Sequence, residues 1–149
     1  MPGILLVEHY RKVLCRYTNL LTDGGYRVYV AFDAESAKSV ICAHGRDIGV
    51  VVSDVLFDHG PKDPQDNVDV MPAEVLAAVQ VDGRDRPVIG LTSRTEPFAM
   101  RESLRKDPVG RCVIGVVMKT RPDRLIALVK VVTVQLRRWR GARRSLSDR

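Results

Sequence analysis

The sequence predicts an α/β fold, a five-stranded parallel sheet covered by helices on both faces. Three observations carry that expectation. Five short apolar runs alternate with five segments of helical period, and such alternation implies parallel strands joined by right-handed crossovers. The stretch Ile48 to Phe57 is rich in β-branched residues and reaches a single carboxylate, Asp54, as a strand buried on both faces would read. Four of the runs stop at polar residues, namely Glu8-His9, Asp54, Thr92-Ser93 and Lys119. In a doubly wound sheet such carboxyl ends share one edge, where open α/β sheets place their sites.

The elements follow in order. Ile4 to Val7 is the first strand. Val13, Leu14, Tyr17, Leu20 and Leu21 then recur at helical spacing until Gly24-Gly25 stops the helix. Arg27 to Phe32 is β-branched and aromatic, a second strand. Asp33 suits an N-cap, followed by a helix with Ala34, Ala37, Val40 and Ile41 on one face and Gly45 at its end. Ile48 to Asp54 is the central strand. Residues 57–67, with two prolines, a glycine and three aspartates, read as a long loop. A helix around Pro72 to Gln80 turns Val75, Leu76 and Val79 inward, and residues 82–86 form a polar connection. Pro87 to Leu91 is a fourth strand, Pro97 opens a short helix to about Leu104, and Cys112 to Met118 is a fifth strand. Pro122 opens a last helix to about Trp139. Val129 to Val134 also has strand propensity, but Leu125, Leu128, Val129, Val132 and Leu136 keep the helical period. Ile126, Val131, Val134 and Trp139 fall off that stripe, which hints at a second buried face and self-association.

With 149 residues, the chain suits one domain with a full core. Apolar residues at 45% and charged residues at 28% fit a soluble globular protein. No apolar run approaches the ~18 residues of a membrane span, and the N-terminus lacks the pattern of a signal peptide. Cys15, Cys42 and Cys112 are widely spaced and form no Cys-x-x-Cys. They are expected to be small buried side chains in a reducing cytoplasm, without disulfides or a zinc cluster. The net charge of +6 is uneven, since residues 137–149 hold six Arg against one Asp. The body is therefore near neutral, and the charge speaks mainly about the tail.

At the shared carboxyl edge a carboxylate from Asp54, a hydroxyl from Thr92-Ser93, an ammonium from Lys119 and the acid/imidazole pair Glu8-His9 should converge.

With those residues in place, the chain resembles a receiver domain of a two-component response regulator over roughly residues 3–138. The resemblance implies a three-layer (βα)5 flavodoxin-like sandwich, with residues 1–140 as receiver domain and 141–149 as a basic C-terminal tail. It implies Asp54 as phospho-acceptor, with Thr92 and Lys119 contacting the phosphoryl group. It also implies Mg2+, held by the acids that end the first strand together with the phospho-acceptor, here Glu8, His9 and Asp54.

Four features depart from that family. By position, His9 replaces the acid that ligates the metal most directly, and imidazole is a poor Mg2+ ligand, which weakens the expectation of Mg2+. His9 could be a bystander, an imidazolium paired with Asp54 or Glu8, or with them a ligand for a softer metal such as Zn2+ or Mn2+. Thr120 follows Lys119 where the family has a cis proline, so a trans peptide is expected. Val116 stands where the family often has an aromatic switch residue. The loop after Asp54 is extended by Asp58 to Asp69 and lacks the usual Met-Pro; Asp58 and His59 could fold over the site or stay solvated.

The resulting expectation is an atypical stand-alone receiver in a phosphorelay, not an enzyme. It would take its phosphoryl group from a histidine kinase or phosphotransfer protein. Output would run through the fourth helix, fifth strand and last helix, about residues 95–138, including a homodimer contact. The alternative is a phosphorylation-independent pseudo-receiver in which Lys119 merely neutralises Asp54. The chain could also be excised from a longer one. A flavodoxin-like cofactor binder would need a glycine-rich loop where Glu8-His9-Tyr10-Arg11 stands. The basic tail could meet nucleic-acid phosphates or an acidic membrane, but a solvated helix end complementing the dipole is the plainer reading, and no nucleic-acid partner is expected.

Overall fold

Successive residues of a strand point to opposite faces of its sheet, and here both faces are buried. A computed structural model describes residues 2–54, 73–92 and 112–147, with side chains as far as residue 138. Strands β1 (Gly3–Val7), β2 (Val28–Ala31), β3 (Ile48–Asp54), β4 (Val88–Thr92) and β5 (Val113–Met118) form one sheet in the order β2-β1-β3-β4-β5. Every pairing is parallel. The described helices are α1 (Arg11–Asp23), α2 (Ala34–His44), α3 (Ala73–Val79) and α4 (Pro122–Ser147).

Alternation splits the core in two. Leu5, Val7, Val51 and Val88 pack with Ala37 and Ile41 of α2 and Val75, Leu76 and Val79 of α3. Ile4, Leu6, Val50, Val52, Ile89 and Leu91 pack with Tyr17 and Leu21 of α1 and Leu125, Val129 and Val132 of α4. The sheet is thus the middle layer of three, the arrangement the alternation of elements predicts. The chain leaves β1 toward one side of the sheet and β3 toward the other, which makes β1 and β3 the topological switch point.

Local signals behave as expected at two helix ends. Asp33 caps α2, accepting from the Ser36 N–H at 2.7 Å while Ser36 Oγ accepts from the Asp33 N–H at 3.1 Å. After α1, Gly25 takes a φ of 89°, a left-handed conformation that favours glycine.

Two expectations need correction. The cysteines are free, but Cys15 and Cys42 are exposed and only Cys112 is partly buried. The buried residues of α1 and α2 lie one or two positions away, at Tyr17 and Ile41, so both thiols fall on solvent-facing arcs. The last helix does not stop near Trp139 but runs on to Ser147. No proline follows Pro122, and one glycine among arginine, alanine and leucine costs only about 1 kcal/mol of helix stability. Residues 82–86 form the expected polar connection, and within it Arg86 is 3% exposed. Its guanidinium donates to the backbone carbonyls of Ile48, Val79 and Gly45 and pairs with both oxygens of Asp82.

Val129 to Val134 is helical, as the 3.6 period required. Val131 and Val134 are exposed, while Ile126 is partly buried against the α1–α4 core. The expected helix from Pro97, the loop at 57–67, its Asp58 and His59, Pro72 and Ser93 lie outside the described residues. No described helix is long and apolar enough to cross a membrane.

Candidate functional site

The carboxyl edge of the sheet gathers three charged side chains from three strands. Asp54 is the last residue of β3, Glu8 directly follows β1 and Lys119 directly follows β5. Leu6, Val52 and Val117 face the α1–α4 layer. Two residues further along each strand, the alternation brings Glu8, Asp54 and Lys119 to that same side. The Lys119 ammonium lies 3.1 Å from Glu8 Oε2, 3.3 Å from Glu8 Oε1 and 3.1 Å from Asp54 Oδ2. Glu8 and Asp54 are fully buried and Lys119 is mostly so.

Parity also explains His9. One residue past Glu8, it is exposed, with its ring edge-on to that of Tyr10 and centroids 5.7 Å apart. The acid that turns inward is Glu8, not the residue expected by position. The cation joining the carboxylates is the Lys119 ammonium rather than an imidazolium. Thr92 ends β4, is fully buried, and is tied to the site through its backbone, since its carbonyl accepts from the Lys119 N–H at 2.7 Å. The Lys119–Thr120 peptide is trans, as Thr120 led one to expect. Val116 packs in the α2–α3 core.

Two neighbours were not legible as site residues. The Tyr10 backbone N–H donates to Glu8 Oε1 at 3.1 Å, and its half-exposed ring lies 5.5 Å from the Lys119 ammonium, within cation–π range. Tyr17 donates its phenol to the Lys119 carbonyl at 2.6 Å. Tyr10 carried no periodic signal, and Tyr17 looked like one more member of a core stripe.

Two carboxylates face the Lys119 ammonium here. Burial, and then the charge of Asp54, raise the Glu8 pKa above its ordinary 4.5. The folded chain therefore holds this proton more tightly than the unfolded chain. The stability gained is full below the ordinary value and is lost as pH rises through the folded one. Unfolding free energy should accordingly fall as pH rises above the ordinary carboxylate range, and Glu8→Gln should flatten that slope in urea titrations. An equally steep slope in Glu8→Gln would assign it to other groups.

A hard divalent cation takes oxygen ligands. Glu8 and Asp54 supply two carboxylates on the same side of one edge, and Glu8 Oε2 has an ion pair but no hydrogen bond. That donor set suits Mg2+, with His9 outside it. Among the described residues no group of three or more His, Cys, Asp or Glu is placed to hold a metal ion, so Glu8 and Asp54 would be its only acidic ligands there.

No family model matches the chain, and no curated protein matches it. Solved structures do. The N-terminal domain of a response regulator/sensory box/GGDEF protein from Carboxydothermus hydrogenoformans superposes with a TM-score of 0.64 at 24% identity, covering 94% of this chain and 98% of that one. The receiver domain of a Francisella response regulator gives 0.68 at 18% identity, covering 91% and 99%. The chemotaxis response regulator CheY4 of Vibrio cholerae gives 0.62 at 22% identity, covering 89% and 98%. The chain has the flavodoxin-like fold of response-regulator receiver domains. Glu8, Asp54 and Lys119 occupy the carboxyl edge of that fold, around its switch point.

Proposed function

We propose that this chain is a signalling receiver that accepts a phosphoryl group on Asp54. The observation that supports this most directly is the Lys119 ammonium 3.1 Å from Asp54 Oδ2 at the end of the central strand. An Asp54 oxygen bonds to phosphorus as the bond from phosphorus to the donor's leaving group breaks, leaving an acyl phosphate. Lys119 compensates the charge on the new group, and Thr92, on the neighbouring strand end, offers a hydroxyl donor. Glu8 and Asp54 would hold Mg2+. Bound there, the ion would neutralise phosphoryl oxygens that a single ammonium leaves uncompensated.

The donor would be a histidine kinase or a phosphotransfer protein. Output would be a change in protein contacts rather than substrate turnover, through the surface of about residues 95–138. On it, Val131 and Val134 of α4 are exposed apolar side chains. Incubation with acetyl phosphate and Mg2+ is expected to add one phosphate-sized mass to the intact protein. Asp54→Asn should abolish that gain and raise unfolding free energy by about 1 kcal/mol, since one ammonium then faces one carboxylate. No mass gain with any of several divalent metals would sink the proposal.

One observation favours a second reading, a pseudo-receiver that binds partners without phosphorylation. Lys119 already bridges Glu8 and Asp54 inside a closed, buried cluster. The same mass measurement separates the two.

A further inference from the structure

Tyr17 has more chemistry than its place in the core requires. Its ring packs between α1 and the sheet, and the residue is 1% exposed. Phenylalanine would fill that space, and a buried hydroxyl is costly unless it is hydrogen-bonded. The phenol makes one such bond, donating 2.6 Å to the backbone carbonyl of Lys119, 102 residues away. On the other side of the same residue, the Lys119 N–H donates 2.7 Å to the Thr92 carbonyl. The lysine that bridges Glu8 and Asp54 is therefore held at both of its peptide groups, by β4 through the N–H and by α1 through the carbonyl. The next residue is Thr120, which leaves φ free where a proline ring would restrict it. The Arg121 N–H closes the turn onto the Met118 carbonyl at 2.9 Å. Among the described residues, Tyr17 is the one side chain recorded as bonding to the backbone of this turn from another element. Burial, with a smaller push from Glu8, raises the phenol pKa above 10, so the hydroxyl keeps its proton and stays a donor at neutral pH.

We propose that Tyr17 is a positioning residue for Lys119: its hydroxyl holds the turn between β5 and α4 so that the ammonium is aimed at the two carboxylates. The consequence for phosphoryl uptake rests on reading Asp54 as the acceptor; the consequence for Lys119 itself does not.

The test compares Tyr17→Phe with Leu21→Val, a buried change one turn further along the same core face. The first readout is the rate at which a limiting amine-acylating reagent modifies Lys119, followed by peptide mapping against the exposed Lys12, Lys38 and Lys130. In the unaltered protein Lys119 should lag those three. Tyr17→Phe should speed its modification roughly tenfold, about the ratio one lost hydrogen bond allows. Leu21→Val should leave it slow, because general loosening of the core is not what exposes the ammonium. The second readout is uptake from acetyl phosphate, expected to slow by a similar factor in Tyr17→Phe alone. Lys119 as reactive as Lys38 in the unaltered protein, an unchanged rate in Tyr17→Phe, or equal acceleration in Leu21→Val would each overturn the proposal. Absent uptake in the unaltered protein removes the reading of Asp54 and leaves the labelling result to decide the role of Tyr17.

Discussion

Replacing Lys119 by Met should cost about 3–5 kcal/mol of stability at neutral pH, the usual toll for removing one partner from a buried ion pair. Met keeps most of the aliphatic stem, so the loss reports on charge rather than volume. Glu8 and Asp54 would then share a buried site without the ammonium that lies 3.1 Å from each of them. Like charges in such a place cannot both stay ionised cheaply. The Glu8 carboxyl, already raised by burial and by Asp54, would lose the ammonium that lowers it, so the deficit should shrink as pH falls toward about 5. Adding Asp54→Asn should recover part of the loss at neutral pH. Urea unfolding at both pH values checks this. A Lys119→Met protein within about 1 kcal/mol of the unaltered one at neutral pH would show that water already screens the cluster.

The other large effect lies at the opposite edge of the sheet. Arg86→Met should cost about 3–5 kcal/mol, because it leaves three backbone carbonyls without their buried donor at once. Arg86 serves Ile48 at the start of β3, Val79 at the end of α3 and Gly45 after α2, and its two terminal nitrogens grip Asp82 end-on. Lysine has the charge but not the planar fork, so Arg86→Lys should fall between the two. Gly45 belongs to the same joint, since a Cβ there would lie 2.5 Å from Asp82 Oδ2 and 3.0 Å from Arg86 Nη2. Equilibrium unfolding of Arg86→Met with an unchanged midpoint would remove the guanidinium as a structural joint.

These two residues mark what could and could not be read before the structure. Asp54 and Lys119 announced themselves because each ends an apolar run, and a strand end is a local signal. The strands and most helices followed for the same reason, each carrying its own period. Choosing between Glu8 and His9 required knowing which face the chain presents after β1 ends, and adjacent residues differ by a whole face. Family position pointed to His9; the alternation along β1 turned Glu8 inward. Arg86 sat in an apparently polar linker, and nothing local shows that three separate backbone segments converge on it. The phenol of Tyr17 was hidden in a helical stripe where only its ring is periodic. The exposed Cys15 and Cys42 erred the other way, since cysteine's average preference for the interior says nothing about which arc of a helix it occupies.

The Glu8–Lys119 contact closes a loop of 111 residues. Contacts so remote in sequence are entropically late to form, and folds built on parallel pairing across the chain are slow to assemble. The carboxylate cluster therefore has no local precursor, and a partly folded chain, or one lacking β5, does not assemble it. If Asp54 accepts a phosphoryl group as proposed, its modification would report the completion of folding as well as the arrival of a signal.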